Sequence, residues 1–335
     1  IDQFLAKGSF RPLYNRDGTI NKENCSLYCR PDQIAECAYS FEIAGTVTEE
    51  AAKESGLKKG TPVIVGTGDS TAEAISVGLV ESGTVFFQYG SSMFYYYCVD
   101  RYVSANGNGS LKGGKEFTIP GTFCIGDGTN AAGTLTRWVR DTFYEEELKK
   151  ERAGGENAYA VMAREAAEVE AGSEGLIILP YIYGERSPIQ DAKASGMLFG
   201  LKGTHTRKQI NRAALEAVGY STLQHMILFD EMNLPPKSVI TAGGGTKNAA
   251  WMQIICDMIG RQICIPKRYQ CSAYGDAAMA ALGDRRFRDF TELRDSLPKG
   301  KILVPNISSL DKIGEEIGVS IKCQREEIFD MMHRI

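Results

Sequence analysis

The residues with chemistry to offer gather at three glycine-rich turns. In the first, Gly66-Thr67-Gly68 follows the apolar residues 62–65 and leads into Asp69. This pattern predicts a short buried strand whose tip carries a carboxylate, then a helix over residues 70–79 that stops near Gly78. Such a carboxylate can take a proton from a hydroxyl or hold a metal, or it can simply cap the helix. A strand is expected over residues 84–89, running straight into Gly90-Ser91-Ser92, a turn small enough to aim backbone N–H groups at an anion. Carboxylate and turn are thus expected to face one cleft. The second unit, residues 126–133, contains Gly126-Asp127-Gly128-Thr129-Asn130-Ala131, which matches the dinucleotide fingerprint G-x-G-x-x-A and reads as a turn opening a helix. A nicotinamide-dependent oxidoreductase is therefore a rival reading. Against it, a long charged, helix-prone stretch follows, where a second strand ending in an acidic residue is needed. The third unit is Gly243-Gly244-Gly245 with Asn248 beyond it. Glycines clear a flat surface, and Asn248 offers a donor and an acceptor to the edge of a heterocycle, while also suiting the N-cap of the helix that carries Trp251.

The elements that must position these turns alternate between strand and helix. Thr48 is the expected N-cap of a helix over 49–55 that ends at Gly56. Residues 1–40 read as polar and irregular, residues 102–115 as a hairpin or surface loop, and residues 117–125 as strand. The charged stretch 145–170 is expected to be helical and to face solvent for the most part. Residues 176–181 form another expected strand, and the helix over 206–229 is apolar around most of its circumference and so should be buried. Strands over 239–242 and 263–266 each precede a helix. This alternation predicts an α/β domain with a largely parallel sheet. The aromatic run Phe94-Tyr95-Tyr96-Tyr97 is read as core packing in a strand.

Composition excludes several classes of function. The 335 residues carry 38 basic and 42 acidic side chains, with no basic block, which argues against nucleic acid as a partner. No run is long and apolar enough for a transmembrane helix, so no membrane partner is expected. Nine cysteines, an odd number without paired knuckle spacing, read as reduced thiols in a cytoplasm, and Cys25, Cys29 and Cys37 supply too few ligands for zinc. No Gly-x-x-x-x-Gly-Lys-Ser/Thr occurs, which excludes a P-loop enzyme.

With these turns in place, the chain resembles the FGGY carbohydrate kinases from about Gly45 to Gly283. The most specific part is Gly196-Met197-Leu198-Phe199-Gly200-Leu201 followed, seven residues on, by Gln209-Ile210-Asn211-Arg212-Ala213-Ala214-Leu215-Glu216, which resembles the family's second signature. Gly184-Glu185-Arg186-Ser187-Pro188 with Asp191, and Gly133 followed by Trp138-Val139-Arg140-Asp141, resemble further family motifs. The resemblance implies an actin-like, ribonuclease-H-like α/β fold, the C-terminal half of a two-domain sugar kinase that transfers the γ-phosphate of ATP to a hydroxyl. It implies Asp69 as general base, lying near Mg²⁺. It likewise implies Gly90 and Ser91 at the transferring phosphate, Gly133 and Arg137 against ATP, and Gly244, Gly245 and Asn248 at the adenine.

The family's N-terminal Asp-x-Gly-Thr motif does not occur here. Residues 1–80 are accordingly expected to close the sugar-binding domain, residues 81–335 to form the nucleotide-binding domain, and this stretch alone not to phosphorylate sugar usefully. Gly68-Asp69-Ser70-Thr71-Ala72-Glu73 is nearer the ketose kinases than the glycerol kinases, so D-xylulose is the expected acceptor, with gluconate or another polyol as the alternative. A non-catalytic actin-like module that only binds ATP is the reading outside enzymes. A homodimer is the default expectation for a soluble enzyme.

Overall fold

The computed structural model describes residues 1–104, 113–267 and 271–306. The front of the chain is less irregular than its composition predicts. Helices α1 (Gln3–Gly8) and α2 (Lys22–Cys25) are each begun by a side-chain cap, Asp2 accepting from the Leu5 amide and Asn21 from that of Asn24. Strands β1 (Ile43–Thr46) and β2 (Pro62–Ile64) pair antiparallel as a separate ribbon, with α3 (Glu49–Ser55) between them. Thr48 caps α3 and Gly56 ends it at φ 75°, as the sequence predicts. The strand expected to be buried is β2, yet Pro62 and Val63 are exposed. Only Ile64 reaches the core, and a two-stranded ribbon gives the others no second layer to pack on.

Helix α4 (Asp69–Ser76) is followed by β3 (Thr84–Tyr89), β4 (Met93–Val99), β5 (Lys115–Glu116) and β6 (Phe123–Thr129). The strand expected over 117–125 is interrupted. The Phe117 amide donates to the Thr122 carbonyl at 2.9 Å across a turn through Pro120 and Gly121, so pairing resumes only at Phe123. Of the loop expected at 102–115, residues 105–112 lie outside the described residues. Next come α5 (Gly133–Phe143), α6 (Glu145–Arg152), α7 (Ala158–Ala167), the antiparallel pair β7 (Ile177–Leu179) and β8 (Met197–Phe199), and α8 (Arg207–Glu231). The chain then forms β9 (Ser238–Ala242), α9 (Ala249–Ile259), β10 (Ile263–Ile265), α10 (Ser272–Gly283), α11 (Phe290–Ser296) and β11 (Lys301–Leu303).

Among the described residues, seven strands make one sheet in the order β11-β10-β9-β3-β4-β6-β5. Pairings β3–β9 and β9–β10 are parallel, whereas β3–β4, β4–β6, β5–β6 and β10–β11 are antiparallel. The sheet is therefore mixed, not largely parallel. Turns as short as those after β3 and between β5 and β6 cannot make the crossover that parallel neighbours need.

Side-chain alternation along β3 and β4 feeds a core on each face. Val85, Phe87, Tyr89, Tyr95 and Tyr97 pack with α5, α8 and α9, while Phe86, Phe94, Tyr96 and Cys98 pack with α4 and α10. The aromatic run of β4 is thus core on both sides. Helix α8, opened by Thr206 and Gln209 as a capping box, is buried over most of its length. Its fully buried Phe229 lies 4.8 Å from the Tyr97 ring and 5.3 Å from that of Tyr95. Replacing Phe229 by Ala is expected to destabilise the domain by about 3–5 kcal/mol, since a large cavity would open among rings pinned by the sheet. Denaturant unfolding measures this, and a loss below about 1 kcal/mol would show that the site collapses freely.

Candidate functional site

The ends of β3 and β9 and the start of α5 meet around one cleft. The turn after β3 is closed by the Gly90 amide donating to the Ser92 carbonyl at 2.9 Å. The start of α5 is stitched onto it. The Ala132 and Thr134 amides both donate to the Ser91 carbonyl at 3.0 Å, and the Gly133 amide donates to the Gly90 carbonyl at 2.9 Å. The Thr134 hydroxyl adds a bond to the Ser91 carbonyl at 3.0 Å. A Cβ on residue 133 would lie 2.5 Å from the Gly90 carbonyl oxygen, so this approach requires glycine. These bonds use up N–H groups that a helix start would otherwise present. The Ser91 amide and hydroxyl, without hydrogen-bond partners among the described residues, remain as the turn's donors.

Across the cleft, β9 passes through a 3₁₀ turn, Gly244–Lys247, to Asn248, whose Oδ1 accepts from the Trp251 amide at 3.0 Å and caps α9. The cap occupies the acceptor end of that side chain. Trp251 is held in turn by its Nε1 donating to the Leu215 carbonyl at 3.2 Å. The resulting cleft has a volume of about 940 Å³ and is lined by Gly90, Ser91, Gly133, Arg137, Gly244, Gly245 and Asn248. Arg137 and Lys247, both in its lining, make no ion pair among the described residues, whereas Arg164 is paired with Glu156 at 2.7 Å. Two unpaired cations beside glycine turns suit a ligand with several negative charges.

One wall was not anticipated. Asn157, Tyr159, Ala160, Ala163 and Arg164, from the stretch expected to face solvent, line the cleft. Asn157 caps α7, accepting from the Ala160 amide at 3.3 Å, and Ala160 and Ala163 fall on one helical face. An Asn cap followed by alanines three apart was the available signal, masked by the surrounding charge.

Asp69 stands elsewhere. Gly68 is the N-cap of α4 and Asp69 its first residue, with Oδ1 accepting from the Ser70 amide at 2.8 Å and the Ser70 hydroxyl at 3.3 Å. The carboxylate is exposed and lines a cavity of about 240 Å³ with Phe4, Ser9, Ser70, Tyr96, Lys115 and Gly126. Among the described residues this cavity shares no lining residue with the cleft. The carboxylate and turn expected at one cleft therefore line two cavities, reached from the same strands: Tyr96 pairs with Gly126, and Met93, next to the turn, with Thr129.

The dinucleotide fingerprint is not a turn. Gly126 and Gly128 lie inside β6, opposite Tyr96 and Phe94, and a Cβ on residue 128 would overlap the Met93 carbonyl oxygen. Those glycines serve close strand pairing, so this fingerprint supplies no phosphate-binding turn for a nicotinamide cofactor. Among the described residues no three His, Cys, Asp or Glu side chains come together to hold a metal, and Cys25, Cys29 and Cys37 are free thiols. No described helix is long and apolar enough to cross a membrane.

A mixed sheet with helices on both faces, opening at its strand ends on a cleft of this size, is the architecture of an actin-like ATPase domain. Residues 86–283 match the C-terminal domain of the FGGY family of carbohydrate kinases, and the chain belongs to that family. It is 25% identical over 302 residues to a gluconokinase of Bacillus subtilis (strain 168), which covers 85% of this chain and 58% of that one. Its fold is similar to the solved xylulose kinase from Rhodospirillum rubrum, with a TM-score of 0.81, 26% identity and coverage of 95% of this chain and 62% of that one. The gluconate kinase from Lactobacillus acidophilus superposes at a TM-score of 0.84 with 21% identity, covering 96% of this chain and 63% of that one. The chain thus spans less than two thirds of the length of each of these relatives.

Proposed function

We propose that this protein acts in transfer of the γ-phosphate of ATP to a sugar hydroxyl. The observation that carries the reading is the single cleft that gathers Gly90, Ser91, Gly133, Arg137, Gly244, Gly245 and Asn248 from three separate stretches of chain. In this reading the Gly244–Gly245 surface and Asn248 receive the adenine, and Arg137 and Lys247 neutralise phosphate charge. Ser91 aims its amide and hydroxyl at the phosphoryl group that moves. Asp69 takes the proton of the attacking hydroxyl as the new O–P bond forms and the bond from the γ-phosphorus to the ADP oxygen breaks, releasing ADP; among the described residues its exposed carboxylate is hydrogen-bonded by Ser70 alone. Residues 1–80 then close the sugar-binding side and residues 81–335 hold the nucleotide. The eight free thiols among the described residues suit a reducing cytoplasm.

One exposed carboxylate fits Mg²⁺, an ion commonly held by one or two carboxylates together with substrate phosphates. Asp69 would be that ligand, and the ion would supply neutralisation of charge on the phosphoryl oxygens. The run Asp69-Ser70-Thr71-Ala72-Glu73 and the likeness to a xylulose kinase favour a ketopentose such as D-xylulose as acceptor.

Coupled detection of ADP with D-xylulose, D-gluconate and glycerol tests this on the intact protein. Sugar-dependent ADP release, fastest with the ketopentose, is expected. Firm ATP binding without sugar-dependent release from any of a wide sugar panel would contradict it and leave a non-catalytic ATP-binding module.

A further inference from the structure

The loop between β7 and β8 carries a buried acid that the reading above does not use. Glu185 is 3% exposed, and its Oε1 accepts from the Asn130 amide at 2.8 Å and from the Arg186 amide at 2.7 Å. Its Oε2 is buried without a hydrogen-bond partner among the described residues. The rest of the loop grips the same stretch. Arg186 Nη2 donates to the Thr129 carbonyl at 3.0 Å, the Ser187 amide to the Gly128 carbonyl at 3.1 Å, and Asn130 Nδ2 to the Tyr183 carbonyl at 3.1 Å. Gln190 Nε2 reaches Asp127 Oδ2 at 3.2 Å. Residues 127–130 are thus clamped from outside the cleft, and three residues further on Gly133 makes its obligatory approach to Gly90.

We infer that Glu185 is a positioning residue for nucleotide binding: by holding the Asn130 amide, its carboxylate fixes the turn that sets the start of α5 against Gly90 and Ser91. It touches neither cleft nor ligand. The inference rests on the reading that the cleft takes ATP.

The charged and titratable groups around Glu185 are few. Asp127 of β6 raises its pKa, Arg186 lowers it, and Asp191 lies across the loop, its carbonyl accepting from the Glu185 amide at 2.7 Å. Tyr181, beyond β7, is kept neutral by burial. His225 of α8 meets Ser187 at 3.1 Å and is pushed down to about 4 by burial, so it stays neutral. Burial, opposed by the Asn130 and Arg186 amides, leaves Glu185 pushed up to about 7. Above that pH the carboxylate is charged and its two amide bonds are strong; below it the neutral acid accepts more weakly. The grip on the turn should therefore loosen as pH falls through 7.

Equilibrium titration of the protein with ATP in excess Mg²⁺, from pH 6 to pH 8, tests this on Glu185→Gln and Glu185→Ala beside the unsubstituted protein. Protonation of the nucleotide itself is common to all three and cancels in the comparison. The unsubstituted protein is expected to lose about fivefold in affinity, beyond that common slope, between pH 8 and pH 6. Glu185→Gln, which keeps an acceptor of the same size, should bind about fivefold more weakly at pH 8, match the unsubstituted protein near pH 6 and show no slope of its own. Glu185→Ala should be weaker than either throughout. A merely structural role would shift the thermal midpoint but not remove a pH slope. Superimposable profiles for the unsubstituted protein and Glu185→Gln would overturn this inference alone, whereas failure of the unsubstituted protein to bind ATP at any pH would overturn the nucleotide reading with it.

Discussion

In the intact protein, Asp69→Asn is expected to leave the affinity for ATP within about twofold and to lower sugar-dependent turnover by about 10² to 10⁴, the usual range for loss of a general base. The two effects separate because the structure separates the sites. Asp69 lines the smaller cavity beside Phe4 and Tyr96, and no residue of that cavity borders the cleft. Asparagine has the same shape, and its Oδ1 can still accept from the Ser70 amide, so the start of α4 should hold. What disappears is the negative charge and with it the capacity to take a proton. Steady-state ADP release measures the turnover, and a titration of the same preparation measures ATP affinity. Unchanged turnover would reject the role, and a parallel collapse of ATP affinity would mean that the two cavities act as one.

Gly133→Val is expected to have the opposite signature, with ATP affinity lowered by at least about tenfold and stability by roughly 1–3 kcal/mol, as for overpacking elsewhere. The added Cβ would sit 2.5 Å from the Gly90 carbonyl oxygen, closer than real contacts allow. Either the turn after β3 or the start of α5 must then move. Four hydrogen bonds tie them, from the amides of Ala132, Gly133 and Thr134 and from the Thr134 hydroxyl, so movement of one breaks bonds of the other. Ser91, whose free amide and hydroxyl are the proposed phosphate donors, is the residue displaced. ATP titration together with denaturant unfolding reads both effects. Normal ATP affinity in a destabilised protein would show that the junction is structural only.

The parts of the site that could be read from sequence are those whose function depends on residue type at a turn. Gly90-Ser91, Gly133 and Gly244-Gly245 with Asn248 stand out because glycine and asparagine have few other reasons to recur at strand ends, and the structure gathers all of them at one cleft. The cap at Thr48 was legible for the same reason. What was not legible depends on partners distant in sequence. The burial expected for Pro62 and Val63 needed knowledge that, among the described residues, the one strand they pair with is Ile43–Thr46. Periodicity suggested strands alternating with helices but did not say that β4 and β6 return antiparallel, and so suggested a more parallel sheet than forms. The fingerprint at Gly126 misled because a strand needing glycines for close pairing and a turn needing them for phosphate are spelled alike. The wall formed by Ala160 and Ala163 was hidden because the surrounding charge masked the Asn157 cap and the spacing of the alanines behind it. Glu185 stood out in the sequence only as part of a stretch resembling a family motif, since its burial and its bond to the Asn130 amide depend on partners distant in sequence.

The central claim is that the cleft between Gly90, Gly133 and Gly244 is a nucleotide site built wholly from this chain. Calorimetric titration of ATP into the 335-residue chain without sugar tests it most directly. The account predicts saturable binding at one site per chain, at millimolar dissociation constant or tighter, about −4 kcal/mol or better. It also predicts competition by ADP, indifference to NAD⁺ and loss of the signal in Gly133→Val. A folded chain that takes up no ATP at millimolar concentration, or that binds it equally well with Gly133 replaced by Val, would contradict it.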